Sequence, residues 1–392
     1  YWVARVNDDG STNILQDVEV TNEMADAETV QVPIHSLEEG GMISLDSDLA
    51  EMSLQQHFTS TPLRRVLLGL FSTLVMAGCG SSFEDLPPIN SGNDVSGGLV
   101  RHSVQNLSAQ QREAFVNAVK QMKEIPSSYQ EGVNAYDYFV ILHTEAFKHH
   151  VDEHGNHSMP NAHMQPNFLP WHREFLRRFD HELQRAGNDP ALSVPYWDWS
   201  DPNSFQSVFA DDFLGGDGDP NDDHRVKTGP FRAGEWEILL LDETDDEWDG
   251  DIDLVLKAGP LQRKFGDGAM PTREEVIDAV LTYRPYDSAP FDTTADITKS
   301  FRNYVEGWWP GRSAMHNAVH VYVGGQMQTG SSPNDPAFFI HHANVDRLWA
   351  LYQATWGNQF PEQFADEELY KFEGVSAVDT YDLFRHSNAR YQ

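Results

Sequence analysis

The sequence predicts a mainly α protein whose metal-binding histidines ride on four helices, and three observations predict it. Met315-His316-Asn317-Ala318-Val319-His320 sets two histidines four residues apart, which on a helix puts them on one face, a turn apart, within reach of one metal ion. After the break at Asn334-Asp335-Pro336, Phe338, His342, Asp346 and Trp349 or Ala350 recur at helical spacing; His342 then shares their face while His341 points about 100° away. Upstream, Tyr136, Phe139, Val140, His143 and Phe147 share one face of a further helix, and Phe175, Leu176, Phe179 and Leu183 continue a fourth behind His172.

In chain order, residues 1–60 form an acidic, turn-rich extension in which Asp17-Val18-Glu19-Val20 and Thr29-Val30-Gln31-Val32-Pro33-Ile34 alternate as edge strands do; a small β piece and a disordered tail both fit. Residues 61–80 then read as an export signal: Arg64-Arg65, an apolar run from Val66 to Ala77 too short to span a bilayer, and the exit Gly78-Cys79. A buried helix is the alternative, and it would leave the protein cytoplasmic. Residues 81–100, rich in Ser, Gly, Pro and Asn, form a linker. The main folded domain is expected over 101–392, starting with a helix N-capped by Ser108 and running to Lys123. His149, His150, His154 and His157 crowd the loop between His143 and His163 and read as solvated, and the acidic run Asp242 to Asp251 lacks the ligand spacing of a calcium loop.

Composition sets outer bounds. A hydrophobic content of 40% can bury a sizeable core, and a formal charge of −34 argues against nucleic acid as a partner, because like charges repel at long range. Cys79 is the single cysteine, so no intrachain disulfide exists.

The chemistry follows from the histidines. His163 and His172 stand nine residues apart and join His143 in one triad; His316, His320 and His342 make the other. A zinc protease would need Glu where Asn317 stands, and a di-iron carboxylate bundle would need Glu-x-x-His on two helices, which no ligand histidine here provides. Imidazoles without carboxylates suit copper and leave it redox-active rather than hydrolytic. Asp346, one turn after His342, is placed either to orient that imidazole from behind or to form a salt bridge with Arg173 or Arg347.

In order along the chain stand Phe168-Leu169-Pro170-Trp171-His172-Arg173, Pro195-Tyr196-Trp197-Asp198-Trp199, Met315-His316-Asn317, Val323-Gly324-Gly325-Gln326-Met327 and Asn334-Asp335-Pro336-Ala337-Phe338-Phe339-Ile340-His341-His342. With these motifs the chain resembles the tyrosinase family of type 3 copper proteins over roughly Leu107 to Tyr381. Some fungal and molluscan members carry Cys two residues before the second histidine of the first triad; Asn161 stands there, so the resemblance is to the bacterial type.

The resemblance implies a central four-helix bundle holding a dinuclear copper site. Two copper ions, dioxygen and a small phenolic substrate would be its cofactors and reactants: a monophenol is hydroxylated ortho to its oxygen, and the catechol is oxidised to an o-quinone, the chemistry of melanin biosynthesis. It also implies that Glu306, in Tyr304-Val305-Glu306-Gly307-Trp308-Trp309, and Asn317 hold a water that takes the phenol proton. Phe338 and Val321 would line the substrate pocket, Asp379-Thr380-Tyr381-Asp382 would close the domain, and a separate partner would deliver copper. Cys79 ends its segment as a bacterial lipoprotein signal does, so a lipid anchor at the cell envelope, or extracellular release, is expected. Catechol oxidase, o-aminophenol oxidase and a hemocyanin-like dioxygen carrier are the alternatives; Glu306 with Asn317 favours an enzyme.

Overall fold

The computed structural model describes four N-terminal strands by their backbone, and the chain over 98–147, 162–240 and 257–392. The histidine-rich loop of 148–161, the 241–256 acidic loop, and Cys79 with its apolar run lie outside the described residues. The chain divides into two units, Tyr1–Asn90 and Ser91–Gln392. In the first, Trp2–Val6 pairs with Thr12–Asp17 and Thr29–Ile34 with Gly41–Asp46, two antiparallel hairpins. Thr29–Ile34 is thus a strand; of the other alternating run, Asp17 ends a strand and the rest lies outside the described residues.

The second unit is mainly helical. Helix α1 (Ala109–Met122) starts at Ser108, whose hydroxyl accepts from the Gln111 amide while the Gln111 side chain accepts from the Ser108 amide; this reciprocal pair satisfies two amides that no helical carbonyl reaches. Helices α2 (Asp137–Phe147) and α3 (Phe168–Gly187) follow. Pro170 is tolerated in α3 because it falls in the first turn, where no intrahelical donor is needed. Shorter helices α4 (Pro202–Val208), α5 (Arg273–Leu281) and α6 (Phe301–Glu306) lead to α7 (Met315–Val323) and to α8 (Ala337–Trp356), buried from Ala337 through Tyr352. Two further short helices, α9 (Glu362–Ala365) and α10 (Leu383–Ser387), end the helical part.

Beneath the histidines, α2, α3 and α8 interlock through aromatic rings. Phe139 lies 5.2 Å from Phe175 and 5.1 Å from Phe179, and Phe179 stacks on Phe339 at 3.5 Å. Such rings carry large apolar area on few rotatable bonds, so they form a stiff floor for the ligands above.

Three buried charge networks fix the loops around that floor. Arg263 forms a two-point pair with Asp335 ahead of α8, at 2.7 and 2.8 Å. Arg302 joins Asp287 to Glu306, each bond 2.9 Å. Asp346 accepts from Arg173 at 2.5 Å, from Arg101 at 3.0 Å and from the Tyr391 hydroxyl at 2.6 Å. Leu99–Arg101 pairs in parallel with Ala389–Tyr391, which brings Tyr391 to this last network, and Val378–Thr380 is a short 3-10 turn followed by Tyr381, whose ring packs on Phe360.

Candidate metal centre

Helices α2, α3, α7 and α8 bring seven histidines together. His143 comes from α2, His172 from α3, His316 and His320 from α7, and His341 and His342 from α8; His163 stands in the turn before α3. They form two groups, His143 with His163 and His172, and His316 with His320, His341 and His342, in each of which the potential ligand atoms lie within 4.8 Å of one another. The groups adjoin: the rings of His172 and His342 stack at 4.2 Å.

Four of the imidazoles are aimed from behind. Nδ1 of His143 donates to the Gly330 carbonyl at 2.6 Å, that of His172 to Phe168 at 2.8 Å, and that of His320 to Met327 at 2.5 Å. Nδ1 of His316 faces the Asn317 side-chain oxygen at 3.0 Å and the Glu306 carbonyl at 3.3 Å. A neutral ring that spends its proton on Nδ1 presents a bare lone pair at Nε2. Nε2 of His316 lies 3.1 Å from that of His320 and 3.3 Å from that of His342, while Nε2 of His143 and of His172 is buried without any partner. Converging lone pairs repel unless a cation sits among them. Their separations lie at or just below the roughly 3.3–3.6 Å between ligands of a metal with bonds of about 2.0–2.1 Å. The site therefore fits metal ions held by nitrogen, and with at least three histidines in each group it fits two.

Burial removes any competing proton. It pushes His143 down to about 3 and His320 to about 4, and His163, His172, His316 and His342 well below the ordinary imidazole value. All are neutral at pH 7, as ligands must be. The metal-free protein then has a definite pH response. Between the lowered folded values and the unfolded value of about 6.5, the unfolded chain binds more protons, so stability falls as pH falls through this window. Each buried imidazole contributes at most about 1.4 kcal/mol per pH unit. Thermal unfolding of the apoprotein should weaken steadily from about pH 6.5 to 4.5; a flat profile there would mean that these rings are already hydrated.

The remaining expected site residues are placed as follows. Glu306 is fully buried; its Oε1 accepts from the Met164 amide at 2.6 Å and its Oε2 from Arg302. Desolvation raises its pKa, against the pull of the Arg302 charge. Gly307, at φ 99°, lets α6 turn directly into the strand ahead of α7, since a β-carbon there would collide with the Ala314 carbonyl. Phe338 has no exposed surface and packs against both groups, 4.1 Å from His342 and 4.8 Å from His143. Val321 is half-buried, close to where a β-carbon would stand on Gly268. Asp346 takes the salt-bridge alternative with Arg173, and Nδ1 of His342 has no hydrogen-bond partner. His341, which helical phase sets about 100° from His342, also has its ring near the second group, 5.0 Å from His316 and 4.8 Å from His320.

Residues 133–355 match the family model described as the common central domain of tyrosinase. A tyrosinase of Streptomyces glaucescens is 40% identical over 257 residues, 65% of this chain and 82% of the relative. The chain belongs to the tyrosinase family. A tyrosinase of Streptomyces lincolnensis is 41% identical, with the same coverage, and a protein of Streptomyces griseus subsp. griseus named grixazone synthase is 35% identical over 65% of this chain and 84% of its own length. As a tyrosinase-family enzyme, the protein is a type 3 copper oxidase that uses two copper ions and dioxygen on phenolic substrates. Among the described residues, no helix is long and apolar enough to cross a membrane.

Proposed function

We infer that His143, His163 and His172 hold one copper ion, that His316, His320 and His342 hold the other, and that the protein hydroxylates monophenols and oxidises catechols there. The convergence of unprotonated Nε2 atoms carries this reading. The copper pair, when bound, supplies the electron transfer to dioxygen. The chain's own contribution is to keep six imidazoles neutral, to aim four of them through Nδ1, to exclude water with Phe338 and the aromatic floor, and to accept a proton. A phenol with a pKa near 10 is ionised to only about a thousandth at pH 7, a deficit of about 4 kcal/mol for binding as phenolate. Glu306 is the group we assign to that proton. It is buried, it lies against both triads through the Met164 amide and its own carbonyl, and its carboxylate keeps acceptor capacity for a water shared with Asn317.

A second reading has its own observation. Each Glu306 oxygen already accepts one bond, one of them from Arg302, and the Asn317 oxygen already faces His316, which weakens both as proton acceptors and favours a catechol or o-aminophenol oxidase. Metal analysis with oxygen uptake separates the readings. Copper-supplied protein should hold two coppers, show a strong near-ultraviolet band when the reduced form meets dioxygen, and consume oxygen with a monophenol. Two coppers with uptake on catechol or o-aminophenol alone would establish the second reading; zinc or iron with no copper uptake would sink both.

Export completes the proposal. Arg64-Arg65, the apolar run and Cys79 would direct the chain to the cell envelope, with an acyl chain on Cys79, though one chain alone anchors weakly. Its quinones would there feed melanin formation, and copper would come from a separate delivery protein. Mass spectrometry of native protein that found an unmodified chain running through Cys79 would refute the anchor.

A further inference from the structure

The turn between α7 and α8 touches both triads through backbone oxygens. The Met327 carbonyl accepts from His320, and the Gly330 carbonyl, three residues on, accepts from His143. The turn is pinned at both ends. The Gln326 side chain accepts from the Gln262 amide at 2.8 Å; beyond Gly330, the Pro333 carbonyl accepts from the Tyr136 hydroxyl at 2.7 Å, and the Asn334 side chain bonds the Leu239 amide and carbonyl at 2.8 and 2.7 Å. Gly330 itself is buried against Phe147. A β-carbon on Gly330 would stand 3.1 Å from Cδ1 of Phe147 and 3.5 Å from its Cβ and Cγ. Its φ is not among the positive values, so space rather than backbone conformation is what the glycine provides. The ring of Phe147 in turn lies 5.0 Å from His163 and 6.2 Å from His143.

We propose that Met327–Gly330 is one positioning element shared by the two copper sites, and that Gly330 is glycine so that Phe147 can pack without displacing it. Any shift of this turn moves the acceptor from an imidazole in each triad at once. An imidazole that loses the acceptor behind it is no longer held to one tautomer and one ring angle, and its Nε2 drifts from the metal. Metal affinity at the two sites is therefore coupled through a segment that contributes no ligand. This rests on the two triads being the copper ligands, which the parent protein's own titration tests separately.

Gly330→Ala is the test. Cu(I) titration of the apoprotein against a competing chelator reads number and affinity of both ions, while circular dichroism follows the metal-free fold. Losing the partner behind a ligand weakens metal binding by about 10–100-fold, so the His143 site should weaken by about tenfold or more and the other site by a smaller factor. Adding Phe147→Ala should restore both, because only the β-carbon of residue 147, at the ordinary contact distance of 3.5 Å, would still face the added methyl group. If the single variant fails to fold, the double variant decides: parental affinity supports the element, and weak binding by a folded double variant overturns it. Parental affinity at both sites in Gly330→Ala, or a loss confined to one triad, also overturns it. A parent that took up no copper would overturn the ligand assignment, and this inference with it.

Discussion

His342→Ala is expected to retain one copper and to lose all measurable oxidation, whereas His341→Leu is expected to retain both coppers and turn over. The two residues are neighbours on α8, both fully buried and both among the second group of histidines. What separates them is where their nitrogens go. Nε2 of His342 meets that of His316 at 3.3 Å, and its ring lies over Phe338 and against His172, so it faces the junction of the two triads. The ring of His341 instead lies nearly parallel to His316, 19° between planes, with Trp199 5.0 Å away, and neither of its nitrogens has a partner. A buried polar atom left unpaired costs about 1–3 kcal/mol. Leucine at 341 removes two such atoms at similar bulk, so it should be tolerated in stability as well as in metal content. Copper analysis of both variants checks this; a His341 variant that lost copper beside an active His342→Ala would show that α8 presents the other imidazole.

The contrast shows what a periodic pattern contains. The spacing of His316 and His320, and the N-cap of α1, were legible because each depends on residues one helical turn apart. Helical phase separated His341 from His342 in direction, but not in distance from the metal centre, because the α7 rings lie across both directions. The partners of Asp346 were only half legible. Arg173 was an alternative from the outset, yet Arg101 and Tyr391 reach the same carboxylate from three-residue strands at the two ends of the domain. Strands so short carry no alternation to read. The acceptors behind His143, His172 and His320 are main-chain carbonyls, which every residue type possesses, so no residue marks them. Glu306 was legible as a carboxylate near the site, and its pairing with Arg302 one turn earlier fits helical spacing. Its bond to the Met164 amide was not, since Met164 takes a left-handed φ of 62° that favours no methionine.

Glu306→Gln should lower monophenol hydroxylation by on the order of 10²-fold, a usual size for losing a positioned base, while catechol oxidation falls much less. A monophenol must give up its proton before it can bind as phenolate, whereas a catechol has a lower first pKa, a second oxygen to present to the metals, and protons of its own to deliver to reducing dioxygen. Glutamine is the informative substitution because it keeps the shape of the side chain. Its amide oxygen can still accept from Met164; its NH2 then meets an Arg302 N–H donor to donor and that one bond is lost, but Arg302 keeps its 2.9 Å bond to Asp287, so the buried cation retains a carboxylate partner. What disappears is the capacity to hold a proton. Asn317→Ala should act in the same direction for a different reason: it removes the side-chain oxygen 3.0 Å from His316 Nδ1, yet leaves the Glu306 carbonyl 3.3 Å from the same atom, so the ligand stays aimed. Both variants should therefore keep two coppers. The measurement is the ratio of initial rates on a monophenol and its catechol, taken on one metal-loaded preparation of each variant. An equal fall in both rates would make Glu306 and Asn317 supports for His163 and His316, and a parent with no monophenol activity would place the enzyme among the catechol or o-aminophenol oxidases, with the Arg302 pair as the reason its carboxylate takes no proton.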